Sequence, residues 1–210
     1  ETVCCAGIGL DWNWLRSYPV SFRTLDHGQK FGRWDNLRFR WKLPSDDFRV
    51  ESRRIDQDSI TIVGQLRKSE RQKFLSGLIV TGLNAERLHD RSLALLKAKI
   101  LGFRFEKRTA QEITREQERF DALRAQQSLF NLKPIIPYRP CPYHFKYRYE
   151  TDDGRREGTC QDWEIEATYF NWTKEYGEAA ALTRMQQVFG QEYPEKGMLL
   201  AMGTHSQHPD

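Results

Sequence analysis

Several common signatures are missing from this chain of 210 residues. No run of about 18 apolar residues occurs, so the sequence predicts no membrane span. The chain also lacks a G-x-x-x-x-G-K-[ST] phosphate loop, a G-x-G-x-x-G turn and a G-x-S-x-G elbow. Ordinary nucleotide binding and serine-hydrolase chemistry are therefore disfavoured, and no decisive catalytic signature is left.

Cysteine is scarce, and its spacing does not fit a structural zinc site. The four cysteines are Cys4, Cys5, Cys141 and Cys160, with no C-x-x-C pair among them. His205 and His208 could join one of the two later cysteines at a metal, but no partner pair accompanies them, so we predict no metal site. Free thiols and the lack of a visible secretory signal predict a cytoplasmic protein.

The composition is polar but rich in aromatic residues. The apolar fraction is 39% and the mean hydropathy is −0.74, yet the chain holds 12 Phe, 8 Tyr and 6 Trp. Such an aromatic content is too high for a disordered chain. With 33 Lys and Arg against 29 Asp and Glu, a basic binding surface must arise from clustering of cations rather than from their total.

Hydrophobic periodicity predicts an α+β fold with a mixed, mostly antiparallel sheet and three to four flanking helices. Helices are expected around 69–79, 109–128 and 160–190, the second opened by a capping box of Thr109 and Glu112. The proline-rich stretch 134–142 cannot be helical. We therefore predict a β-rich part with a helical insertion at 1–133 and a hairpin, helix pair and strand at 134–210, packed into one domain.

The strongest local pattern is a basic stretch at residues 30–54, which holds eight cations against four anions and so carries a charge of +4, equal to that of the whole chain. Within it, residues 37–42 alternate strictly between apolar and basic. A strand here would place Arg38, Arg40 and Lys42 on one face and apolar side chains on the other.

Two further strands repeat this alternation. Lys146 and Arg148 share one strand face, and Arg104 lies in a third predicted strand. If these strands are neighbours, about 4.8 Å apart, their cations form one surface that repels itself unless a polyanion or carboxylates neutralise it. The alternative is neutralisation across the strands by Glu51, Glu106, Glu150 and Asp162.

The first hypothesis for function is therefore nucleic-acid binding, DNA or RNA, by a basic sheet face, with aromatic stacking from Trp34, Tyr143 or Tyr149. The predicted nucleic-acid-binding residues are Arg38, Arg40, Lys42, Arg53, Arg104, Lys146 and Arg148.

A second hypothesis is a metal-dependent nuclease. The predicted catalytic carboxylates are Asp47, Glu51, Asp162 and Glu164, which would hold Mg²⁺ against a phosphate together with Lys42 or Lys146. The Glu-x-Lys spacing of many nucleases is missing here. The alternative interpretation of Asp162 and Glu164 is as acids at a helix N-terminus.

A third hypothesis is a non-enzymatic protein-interaction subunit. The predicted helix 109–128 is very polar, with a thin apolar stripe that could meet a partner protein. An ordinary solvated surface helix has the same pattern.

Five motifs spread over nearly the whole chain resemble those of an uncharacterised bacterial protein family. They are Thr2-Val-Cys-Cys-Ala-Gly-Ile8, Tyr18-Pro-Val-Ser-Phe-Arg23, Asp47-x-Arg-x-Glu51-Ser52, Asp162-Trp-Glu164, and Gly203-Thr followed by His208-Pro209. The resemblance implies one continuous bacterial, cytosolic domain and carries no activity with it.

Overall fold

The computed structural model describes residues 3–22, 25, 27–128 and 139–204. The chain forms two compact units. Unit 1 comprises Glu1–Leu96 and Leu200–Asp210, and unit 2 comprises Lys97–Leu199.

Unit 1 is built on a four-stranded sheet with the order β1-β2-β4-β3. The pairs β1–β2 and β3–β4 are antiparallel, whereas β2 and β4 are parallel. A 3-10 helix at His27–Gln29 precedes β3. The strands are β1 (Val3–Ile8), β2 (Trp14–Val20), β3 (Asp35–Lys42) and β4 (Ser52–Gln65).

A smaller sheet completes unit 1, with the order β10-β6-β5. Its central strand β6 is buried along its whole length. The remaining elements of unit 1 are α1 (Lys68–Ser76), β5 (Ile79–Val80), α2 (Asn84–Leu88), β6 (Leu93–Leu96) and β10 (Leu200–Gly203).

The core of unit 1 lies on one face of the four-stranded sheet. Its buried members are Val20, Leu25, Ile55 and Ile60, and Phe39 of β3 packs against them. Because neighbouring residues of a strand point to opposite faces, Arg38 and Arg40 on either side of Phe39 face solvent. The predicted alternation of apolar and basic residues in β3 therefore matches the alternation of less exposed and exposed side chains from Asn36 to Arg40.

Unit 2 holds an antiparallel sheet of three strands with the order β7-β8-β9. Aromatic side chains dominate its core: Phe103 stacks on Phe145, and Tyr169 contacts Phe145 at a ring distance of 6.2 Å. The elements are β7 (Lys99–Lys107), α3 (Ala110–Ser128), β8 (Tyr143–Thr151), β9 (Gly154–Cys160), α4 (Trp163–Tyr176), α5 (Glu178–Gln187), a π-helical turn at Val188–Glu192, and α6 (Tyr193–Glu195).

The α+β class with mostly antiparallel pairing is confirmed, although the strands form three sheets where one was expected. The capping box is also present, because the Thr109 amide donates to Glu112 Oε2 at 2.8 Å and the Glu112 amide donates to Thr109 Oγ1 at 3.2 Å. Within the described residues, no helix is both long and apolar enough to cross a membrane.

Two local predictions differ from the structure. The sequence Asp56-Gln57-Asp58 is typical of a turn, but β4 continues through it. Ser59 bridges a register shift there, because its Oγ accepts from the Arg40 amide at 2.8 Å. The helical region expected around 160–190 begins at Trp163, because residues up to Cys160 pair with β8 as a strand.

The boundary predicted between residues 133 and 134 lies outside the described residues, as do His205 and His208. These predictions stay untested.

Candidate nucleic-acid interface

The outer face of the β3–β4 pair carries a row of cations. Arg38, Arg40 and Lys42 occupy alternate positions of β3, and all three are exposed. The register places Lys42 opposite Arg54 and Arg40 opposite Asp56. Residues directly opposite in an antiparallel pair share a face, so Arg54 belongs to the same surface. We call Arg38, Arg40, Lys42 and Arg54 the basic row.

Acidic residues neutralise only part of the basic row. Arg40 donates to Asp56 Oδ2 through Nε at 3.1 Å and Nη2 at 2.7 Å. Arg54 lies 3.9 Å from an Asp46 carboxylate oxygen, a long contact between two exposed groups. In the part of the chain that the structure describes, Arg38 and Lys42 form no ion pair. The row therefore retains positive charge.

The loop at residues 43–51, which joins β3 to β4, presents apolar side chains to water. Phe48 is 90% exposed, and Leu43 and Val50 are exposed as well. Trp41, at the end of β3, is 51% exposed, and the Arg53 guanidinium carbon lies 4.6 Å from its ring centroid. Apolar and basic groups thus alternate around one end of the hairpin. We call residues 43–51 the β3–β4 loop.

Asp47 fixes the conformation of this loop. Its two carboxylate oxygens accept from Arg49 Nε at 2.8 Å and Nη2 at 2.6 Å, and Ser52 Oγ donates to Oδ2 at 2.7 Å. These hydrogen bonds, led by those from Arg49, hold the pKa of Asp47 well below its usual range. Arg49 in turn donates from Nη1 to the Thr204 carbonyl at 2.8 Å. The loop is therefore tied to β10 through a guanidinium.

Glu51 anchors the other end of the loop inside the protein. It is 3% exposed and accepts from the Ser92 amide at 2.5 Å and from Ser92 Oγ at 3.0 Å. Arg16 adds a bond from Nη2 to Ser92 Oγ at 3.0 Å, and the Arg16 amide donates to the Glu51 carbonyl at 2.8 Å. Buried charge is costly unless it is hydrogen-bonded, and this network gives each Glu51 carboxylate oxygen a donor.

The predicted basic residues of unit 2 lie in a different sheet from β3. Arg104 Nη2 donates to Glu157 Oε1 at 2.6 Å, and Lys146 Nζ donates to Glu106 Oε2 at 2.6 Å. Arg148 is exposed and stands opposite Glu157 in the β8–β9 register. Arg104 and Lys146 are thus neutralised by acids on other strands, which is the alternative to a basic surface.

The aromatic side chains named as stacking candidates are engaged within the protein. Tyr149 is buried, Tyr143 packs edge-on against Phe105 and Tyr169, and Trp34 has the Arg71 guanidinium 4.9 Å from its ring. Around the β3–β4 loop, the exposed aromatic residues are instead Trp41 and Phe48, which were not among the predicted stacking residues. For Phe48 a signal existed, since an aromatic residue directly after Asp46-Asp47 in a turn has no strand partner to cover it.

The four predicted catalytic carboxylates are divided between the units and have structural partners. Asp47 and Glu51 hold the β3–β4 loop in unit 1, as described above. In unit 2, Asp162 caps α4 by accepting from the Glu164 amide at 2.9 Å, and Glu164 lies in the first turn. No group of three or more His, Cys, Asp or Glu among the described residues could hold a metal ion.

Two family models match successive parts of the chain. Residues 1–77 match a domain of unknown function, DUF8758, and residues 79–210 match a second, DUF8757. The border between them falls inside unit 1, and the bonds from Ser92 to Glu51 join one matched region to the other.

No curated protein and no solved structure matches the chain. The DUF8757 model covers more than half of the sequence. The chain belongs to the family of this domain of unknown function, DUF8757.

Proposed function

We propose that this protein binds nucleic acid through the basic row on β3 and β4. The single observation that supports the proposal is the pair of exposed cations, Arg38 and Lys42, which have no ion-pair partner within the described residues. Neighbouring cations on one strand face lie about 6.6 Å apart and repel one another in the free protein. A polyanion relieves that repulsion and releases counterions as it binds.

The distribution of charge along the chain supports the same surface. Residues 1–77 carry 14 Lys and Arg against 10 Asp and Glu, a net charge of +4 that equals the net charge of the whole chain. The basic row lies within this segment. Such an excess attracts polyanions at long range and raises the rate of encounter.

The other two hypotheses have less structural support. Asp47, Glu51 and Asp162 are each committed to hydrogen bonds that hold a loop or cap a helix, so we do not propose a nuclease. The side chains of α3 that the structure describes are mostly exposed and polar, which fits an ordinary surface helix. Bacterial origin and a cytoplasmic location remain predictions from the sequence.

The test is a gel shift with single-stranded and double-stranded DNA and RNA. We expect retention at low salt, loss by a few hundred millimolar salt, and no cleavage when Mg²⁺ or Mn²⁺ is added. The double variant Arg38→Glu/Lys42→Glu should abolish the shift. Arg115→Glu/Arg119→Glu is the matched control, because it makes the same charge change on the exposed side of α3. Equal loss in both variants, or no shift by the wild type, would contradict the proposal.

A further inference from the structure

The β3–β4 loop has more exposed apolar surface than a solvated turn needs. Four large apolar side chains that are more than half exposed fall within ten residues: Trp41, Leu43, Phe48 and Val50. Single exposed apolar residues are ordinary on a protein surface, whereas a cluster of them marks a surface that meets something else.

Phe48 projects from a backbone that is fixed on both sides. The residue before it, Asp47, and the residue after it, Arg49, are bonded to each other by two side-chain hydrogen bonds, and Arg49 is also bonded to Thr204. The ring therefore extends into water from a backbone that is already fixed. That backbone loses little conformational entropy when a ligand covers the ring.

Cations flank the loop where both strands enter it. Lys42 ends β3, and Arg53 and Arg54 follow the first residue of β4. The basic row therefore leads up to the β3–β4 loop, which carries Phe48. A groove of cations that leads to exposed aromatic rings is the arrangement by which proteins hold single-stranded nucleic acid, with phosphates on the cations and bases on the rings.

The geometry favours an unpaired strand over a duplex and over a lipid surface. In a duplex the bases are stacked inside, and an aromatic ring reaches them only if a base step is opened at a cost of a few kcal/mol. Insertion of the loop into a lipid surface would bury Asp46 as well. This is unfavourable because the Asp46 side chain is charged and 72% exposed to water. Stacking covers only the ring of Phe48 and leaves Asp46 in water.

We propose, on the basis of the proposed function, that the protein selects single-stranded nucleic acid by stacking unpaired bases on Phe48. The basic row supplies affinity for any polyanion, and the β3–β4 loop supplies the preference for a strand whose bases are free. Phe48 is the platform because it is 90% exposed, whereas the Trp41 ring is covered by the Arg53 guanidinium at 4.6 Å.

The test compares the full chain with Phe48→Ala in fluorescence anisotropy, using a labelled oligo(dT), an oligo(U) and a duplex of the same length. Stacking contributes about 1–3 kcal/mol per base, so Phe48→Ala should weaken single-strand binding about 5- to 150-fold. Duplex binding should change less than about twofold, because phosphate contacts are retained. Phe48→Trp should keep the single-strand affinity. Leu88→Ala, at another exposed apolar position of unit 1, is the matched control and should have no effect.

The salt dependence separates this inference from the proposed function. Phe48→Ala should leave the slope of log Kd against log salt unchanged, whereas loss of Arg38 and Lys42 should lower it by about 0.7 per phosphate contact on a single strand. If Phe48→Ala binds single strands as the wild type does, or loses single strand and duplex equally, the inference fails and the proposed function stands. If the wild type binds no oligonucleotide, both fail.

A second experiment tests whether Phe48 binds a lipid surface instead. Vesicles of phosphatidylcholine with phosphatidylserine are sedimented with the wild type and with Phe48→Ala. Co-sedimentation that depends on Phe48, together with single-strand binding that does not, would overturn the inference in favour of a membrane surface.

Discussion

The two units contain similar basic strands that differ in how their charge is balanced. In unit 2 the cations of β7 and β8 meet carboxylates on other strands of the same sheet, as in the pairs Arg104–Glu157 and Lys146–Glu106. In unit 1 the basic row has Asp56 and a distant Asp46. Unit 1 holds 16 Lys and Arg against 13 Asp and Glu, whereas unit 2 holds 17 against 16.

The comparison teaches that alternation along one strand does not identify a binding face. Both β3 and β8 alternate, because each has one face towards a core and one towards water. What separates them is the charge on the strand beside them, which depends on register. Both Lys146 and Lys42 stand opposite an arginine, Arg104 and Arg54 respectively. Lys146 nevertheless reaches Glu106 on β7 at 2.6 Å, whereas Lys42 forms no ion pair among the described residues.

The largest difference that we predict between the units is in the stability lost when one carboxylate of each unit is removed. Glu51→Ala should lower the free energy of unfolding by about 3 kcal/mol, because it leaves the buried Ser92 amide without its acceptor. Glu106→Ala removes a half-exposed partner of Lys146 and should cost much less, because solvent screens the pair. Urea unfolding of both variants measures the difference, and an equal or larger loss for Glu106→Ala would break the comparison.

We predict a smaller difference between the units in how the free energy of unfolding depends on pH in the acid range. The folded pKa of Asp47 is lowered from a usual value of 3.8, so its stabilisation is fully present above pH 3.8 and is lost as the pH falls further. Asp47→Asn should cost about 2 kcal/mol at neutral pH, with the difference from wild type shrinking below pH 3.8.

The matched acid in unit 2 is Glu112, an exposed carboxylate whose bonds from Thr109 lower its pKa from 4.5 to about 2. Its contribution should likewise fade as the pH falls from 4.5 through about 2. We expect Glu112→Gln to cost less at neutral pH than Asp47→Asn, because solvent screens the exposed group. Urea unfolding as a function of pH measures both variants. A pH-independent cost of Asp47→Asn would show that its carboxylate does not hold the loop.

Local features of the fold could be predicted from the sequence. The capping box at Thr109 and Glu112 was predictable because its partners are three residues apart, and the two faces of β3 because alternation has a fixed period. The continuation of β4 through Asp56-Gln57-Asp58 was not, because it depends on a hydrogen bond from Arg40 to Ser59 on another strand.

The candidate site could likewise be predicted only where it depends on a local pattern and not where it depends on contacts between distant residues. The cations of β3 were visible as a pattern, but their pairing depends on register with β4. The role of Glu51 depends on Ser92, which lies 41 residues away, and only the structure brings the two together. Trp41 was expected on the apolar face with Phe39, yet it is half exposed beneath Arg53, because burial fades towards the end of β3.

The most direct measurement is the salt dependence of single-strand binding in two neutralised variants, Arg38→Gln/Lys42→Gln in unit 1 and Arg104→Gln/Lys146→Gln in unit 2. Both remove two positive charges. We predict that the first lowers the slope of log Kd against log salt by about 1.4, because two phosphate contacts are lost, and that the second leaves it unchanged. An unchanged slope in the first variant, or an equal loss in both, would contradict the assignment of nucleic-acid binding to the basic row.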